Sequence, residues 1–202
     1  MLSEHSASPQ RPRNSSPPKF RYCEPVSHLA AISLGANLPS PVGPPEQTIA
    51  AAIEDLAVAG TIVARSSLYS TEPVGFADQP PFVNAAVTLT TSLAPEALLD
   101  LLLAIEHRYG RDRSGDLSNH PRTLDLDLLL VDDIILNSPR LTLPHPALAT
   151  RRFVLAPLAE IAPGLQHPIL KKHIAELLAA LPAEGPNRIE SVRKLYSPQA
   201  RP

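Results

Sequence analysis

The chain has 202 residues, 44% of them apolar, and carries 18 Lys and Arg against 20 Asp and Glu, a formal net charge of −2. That balance excludes a general electrostatic attraction for nucleic acid, so any anion site must be assembled from a few placed arginines. No run approaches the roughly 20 consecutive apolar residues a bilayer requires, and the single cysteine, Cys23, excludes an internal disulfide and a cysteine-based metal cluster. A cytoplasmic chain that does not enter a membrane is expected.

Residues 1–27 read as a Pro- and Ser-rich leader bearing Arg11, Arg13, Lys19 and Arg21. It lacks the apolar stretch of a secretory signal, and Pro9, Pro12, Pro17 and Pro18 oppose the amphipathic helix of a transit peptide, so a disordered tail is expected. Residues 28–181 carry the pattern of one domain, and 182–202 that of a last strand and a tail. An apolar strand over 29–34 is stopped by Gly35-Ala-Asn37. A helix over 46–59 follows, with Ile49, Ile53 and Leu56 on one face and Gly60 closing it. Residues 61–69 read as a second strand. The loop 70–81 holds three prolines and Gly75, and a third strand follows over 82–90.

The clearest helix runs over 93–109, with Pro95 in its first turn, Leu98, Leu101, Leu102 and Ile105 on one face, and Gly110 as its stop. After an arginine-bearing loop comes a strand over 123–131, then a turn at Asp132-Asp133 and a short strand over 134–136 that would complete a hairpin. A Pro-punctuated loop around His145, helices over 152–161 and 174–181, and a final strand over 189–195 complete the chain. The order strand, helix, strand, strand, helix, strand predicts an α+β, ferredoxin-like plait: a mainly antiparallel sheet with helices packed on it.

Chemistry concentrates in His120-Pro-Arg-Thr-Leu-Asp-Leu-Asp-Leu-Leu-Leu130. In a strand, period two sends Asp125 and Asp127 to one face and Leu124, Leu126, Leu128 and Leu130 to the other. Two neighbouring carboxylates on a half-buried sheet repel one another and lose hydration, and a hard divalent cation such as magnesium relieves both costs. A bare Asp-x-Asp is also compatible with an ordinary solvated strand face. Arg122, three residues upstream, and Arg111 and Arg113, two apart, supply bidentate phosphate donors that turn the pair into a polyphosphate site. The sequence contains no Gly-x-x-x-x-Gly-Lys-[Ser/Thr] loop, so side chains must hold the phosphates. Paired carboxylates alone would also suit another metal-dependent nucleotidyl or glycosyl transferase. A non-catalytic ferredoxin-like binding module is the other alternative, although the chain lacks the aromatic-rich strands and basic patch of an RNA binder.

Pro121-Arg-Thr-Leu-Asp-Leu-Asp-Leu-Leu resembles the signature of the 6-hydroxymethyl-7,8-dihydropterin pyrophosphokinase family. Further segments resemble it in the same order: Ile32-Ser-Leu-Gly-Ala-Asn-Leu38, Ser67-Leu-Tyr-Ser-Thr-Glu-Pro-Val-Gly75, Asp78-Gln-Pro-Pro-Phe-Val-Asn-Ala-Ala86, Ile105-Glu-His-Arg-Tyr-Gly-Arg-Asp-Arg113 and Leu141-Thr-Leu-Pro-His-Pro146. The resemblance covers about residues 29–181. It implies transfer of pyrophosphate from ATP to the hydroxymethyl pterin in folate biosynthesis, with AMP leaving. By the family pattern Asp125 and Asp127 hold two magnesium ions, and Arg111, Arg113, Asp125 and Asp127 are the catalytic set. Arg111, Arg113, Arg122, His145 and Arg151 would contact ATP, while Thr71, Val74, Phe82, Asn84 and Phe153 would form the pterin pocket. The partners implied are these two small molecules, with no nucleic acid and no membrane, and a monomer is expected. One departure concerns Asn119-His120, where many members have an aromatic residue followed by Gly, which removes a stacking group from that loop.

Overall fold

The computed structural model describes residues 27–73, 78–111, 120–182 and 192–196, the side chain of Tyr196 excepted. The first strand, β1 (His28–Ala36), leads to helix α1 (Pro45–Asp55) and a 3-10 turn (Leu56–Val58). Strands β2 (Thr61–Arg65), β3 (Leu68–Thr71) and β4 (Phe82–Thr91) precede α2 (Pro95–Arg108) and β5 (Asp125–Val131). A small ladder of β6 (Leu136–Asn137) and β7 (Thr142–Leu143), helices α3 (Arg152–Ile161) and α4 (Ile174–Ala180), and β8 (Val192–Tyr196) complete the described order.

Six strands form one sheet in the order β5-β1-β4-β3-β8, with β2 also paired to β4, and every pairing is antiparallel. With β2 and β3 lying in series along β4, this is the ferredoxin-like arrangement expected from the element order. The sheet is covered on both faces. Ala30, Ile32 and Leu34 of β1, with Val83, Ala85, Val87 and Leu89 of β4, pack with Ile49, Ile53, Leu98, Leu102 and Ile105 of α1 and α2. The opposite face is apolar only where Ala31, Ala86, Leu129 and Leu130 meet Val154, Leu155 and Leu158 of α3 and Leu177 of α4. Beyond that patch the same face carries polar side chains.

Three expectations are corrected. The single strand over 61–69 is two strands, because Ser66 breaks the ladder: its hydroxyl accepts from Ala86 N at 2.9 Å, and its own N–H donates to Ala86 O. Leu130 does not share the face of Leu124, Leu126 and Leu128. The register with β1 slips between Ala31 and Ile32, where Leu129 is the extra residue of a β-bulge, so Leu129 and Leu130 both join the α3 cluster. The segment after Asp132-Asp133 does not form a hairpin with β5. Asp132, at φ 45°, donates its N–H to Leu29 O and accepts from Leu29 N, which ties the turn to β1, and Leu136 pairs with Leu143 of β7 instead. The described part of the final strand, Val192–Tyr196, pairs with β3 and extends the main sheet.

Candidate active site

The polar half of the α3-side face is set by register. Gly35 of β1 stands opposite both Asp125 of β5 and Asn84 of β4, and Ser33 stands opposite Asp127. A Cβ on Gly35 would come within 3.1 Å of Asn84 Oδ1 and 4.0 Å of Asp125 Cβ. The glycine therefore keeps open the space between the carboxylate and the amide. Asp125 takes a guanidinium on each oxygen: Arg111 Nη1 on Oδ1 at 2.7 Å and Arg122 Nη1 on Oδ2 at 2.5 Å. Arg111 also donates to Leu124 O at 3.1 Å, and its side chain is only 7% exposed. These short charge-assisted bonds are the strong class.

Asp127 is differently placed. Among the described residues its carboxylate has no hydrogen-bond donor, and its pKa is pushed up, first by burial and then by Asp125, against the pull of His145, Arg151 and Arg122. His145 sits in the loop before α3, its N–H bonded to Leu129 O at 2.7 Å. Burial lowers its pKa, with Asp127 opposing. Ala147 N donates to its Nδ1 at 3.2 Å, so the neutral ring carries its proton on Nε2. Two hard-oxygen carboxylates on adjacent same-face positions, one of them partly desolvated, fit a divalent cation flanked by arginines.

On the other side of Gly35, Asn84 Nδ2 donates to Thr71 Oγ1 at 2.8 Å, and both residues are buried. This bond fixes the amide across β3 and β4. Phe82 and Phe153 are half-buried, Phe153 against the α3 cluster, and each ring lies under a guanidinium: Arg122 at 5.7 Å from Phe82 and Arg151 at 5.6 Å from Phe153. Each of these two arginines thus shares a contact with one of the two rings. Val74 and Arg113 lie outside the described residues.

A family model for 7,8-dihydro-6-hydroxymethylpterin-pyrophosphokinase matches residues 31–163. The chain belongs to this family. A 2-amino-4-hydroxy-6-hydroxymethyldihydropteridine pyrophosphokinase of Pseudomonas aeruginosa is 47% identical to it over 160 residues, 78% of this chain and 94% of the relative. One from Synechocystis is 46% identical over 75% of each chain. Among solved structures, an HPPK-DHPS of Plasmodium falciparum shares the fold, with TM-score 0.60 at 16% identity over 78% of this chain. This chain spans 45% of that longer one. As a member of the family, the chain is an ATP-dependent pyrophosphokinase that transfers pyrophosphate from ATP to hydroxymethyldihydropterin, a step of folate synthesis.

Three residues of this pyrophosphokinase escaped the reading of its sequence. Asn37, 2% exposed, accepts Arg122 N on Oδ1 at 2.8 Å and donates through Nδ2 to Gln79 Oε1 and Pro80 O, so it ties the Arg122 segment to the loop before β4. Gly35 was legible only as a strand stop, since its neighbours in space are 49 and 90 residues away. Glu106 is 1% exposed in the last turn of α2. It had a readable signal: it falls four residues after Leu102, on the stripe that begins at Leu98.

Proposed function

We propose that the transfer takes place at the polar end of the sheet, with magnesium held by Asp125 and Asp127 and the pterin lodged beside Thr71, Val74, Phe82, Asn84 and Phe153. The observation that carries this reading is the row Asp125, Gly35, Asn84: level across three strands, a single glycine of β1 separates a carboxylate gripped by two arginines from a buried amide suited to a heterocycle edge. Magnesium would supply Lewis-acid neutralisation of the phosphate oxygens, and two ions is the number the resemblance implies. Arg111, Arg113, Arg122 and Arg151 would bind the triphosphate and meet the charge that grows as the pterin hydroxymethyl oxygen attacks the β-phosphorus and AMP departs. His145, with its proton on Nε2, would donate to a phosphate oxygen. Asn84 and Thr71 would read the pterin edge, and the rings of Phe82 and Phe153 would stack on its faces while holding Arg122 and Arg151 in place. We take the enzyme to be a cytoplasmic monomer.

Incubating the full chain with ATP, magnesium and 6-hydroxymethyl-7,8-dihydropterin, and resolving the nucleotides, tests the reading. AMP and the pterin diphosphate are expected in equal amounts. ADP, or free pyrophosphate without pterin diphosphate, would overturn it.

A further inference from the structure

We propose that Glu106 is a positioning residue of the phosphate site, holding Arg111 and the start of β5 in register with one another; the inference rests on the phosphate-site reading above. A carboxylate this deeply buried is rare without partners. Its partners here belong to the site. Glu106 Oε1 accepts from Leu126 N at 2.8 Å, and Leu126 is the residue between Asp125 and Asp127. Among the described residues β5 is an edge of the sheet, so this N–H points away from β1 and is met by a side chain in place of a strand. The other oxygen stands 3.9 Å from Arg111 Nε.

The backbone makes this meeting unavoidable. Gly110, at φ 83°, ends α2 in a left-handed turn in which Gly110 N donates to His107 O and Arg111 N to Glu106 O. This Schellman closure lays Arg111 back over Glu106, at the two positions that commonly share an apolar contact. Here they share an ion pair. Arg111 is consequently held at both ends of its guanidinium, Nε by Glu106 and Nη1 by Asp125 and Leu124 O. Phosphate or metal that competes for Asp125 leaves the Glu106 anchor intact, and the cation stays at the site. A leucine at 106 would extend the stripe of Leu98 and Leu102 but would leave Leu126 N without its acceptor and Arg111 Nε without its carboxylate, so the measurements must separate nucleotide affinity from stability.

Calorimetric titration of magnesium with a non-hydrolysable ATP analogue into the full chain, Glu106→Gln, Arg111→Ala and the double variant tests this. Glutamine keeps an acceptor for Leu126 N and removes the charge facing Arg111. Nucleotide affinity should fall about tenfold in Glu106→Gln, with the pterin KM unchanged and the melting temperature within about 3 °C. The further loss in the Arg111→Ala background should be small, since one residue acts through the other. Unchanged affinity, or an equal loss in both backgrounds, would overturn the inference. If the glutamine variant fails to fold, Glu106→Asp is used. Its shorter arm should also weaken nucleotide binding at an unchanged pterin KM, and wild-type affinity would count against the proposal. A wild-type chain that binds no analogue would overturn the phosphate-site reading itself, and the inference with it.

Discussion

Asp125 and Asp127 sit two residues apart but occupy different environments. Asp125 is neutralised by two guanidinium groups, whereas Asp127 is partly desolvated with its pKa raised by burial and by its neighbour. Asp125→Asn and Asp127→Asn should each lower kcat at least about 100-fold, because the amide keeps the shape and removes the charge. Retention of more than about a tenth of the activity, under 1.4 kcal/mol of barrier, would remove either from the metal site. Their stabilities should diverge. Asp127→Asn should leave the melting temperature unchanged or raised, since it deletes a carboxylate whose charge burial disfavours. Asp125→Asn should lower it slightly by stranding two arginines. Calorimetry of both variants checks the sign. Gly35→Ala is a third case: its methyl would crowd an amide already tied to Thr71, at 3.1 Å. A several-fold rise in the pterin KM is expected, with little change in kcat, read from steady-state kinetics at saturating ATP.

At the scale of elements, side chains settle how the pieces join. Glu160 of α3 accepts from Ser67 N at 3.0 Å, Ser67 Oγ at 2.7 Å, Tyr69 Oη at 2.9 Å and Lys194 Nζ at 2.9 Å, and so fastens β3 and β8 to α3. Burial alone would raise its pKa, but the bonds from Lys194, Ser67 and Tyr69 outweigh burial and hold it below the ordinary glutamate value. A depressed folded-state pKa gives stability that is complete above the unfolded value and is lost as the pH falls through the folded one. Glu160→Gln should therefore cost roughly 1 kcal/mol near neutral pH, about 2–4 °C in melting temperature. The difference from wild type should shrink in acid. A gap that stays constant down to strongly acid pH would refute the ionised clasp. The Ser66 break and the Leu129 bulge are also local departures: one divides β2 from β3, and the other turns Leu129 and Leu130 into the α3 cluster.

Across the described residues, the sheet lies between two helical layers, and the proposed site lies on the face of α3 and α4, beyond their apolar patch. Among the described residues no helix is long and apolar enough to cross a membrane. Deleting residues 1–24 should leave melting temperature and kcat/KM unchanged, because nothing in that Pro- and Ser-rich stretch is patterned to pack; a loss of several degrees in a thermal melt would show that the leader docks. The order of elements, the shared face of Asp125 and Asp127, and the stop of α2 at Gly110 were all legible in the sequence. Each depends on spacings of two to four residues, which backbone geometry converts directly into faces and caps. The proposed division into phosphate and pterin sides rests on resemblance, and Arg122 over Phe82 and Arg151 over Phe153 join residues assigned to the two sides. The bulge that sends Leu130 to the α3 face, the pairing of β6 with β7 and the juxtaposition of Gly35 with Asn84 and Asp125 were decided by tertiary structure alone. Cross-strand neighbours depend on which strands adjoin and in what register, and that is fixed by burial summed over the whole core, which no local periodicity records.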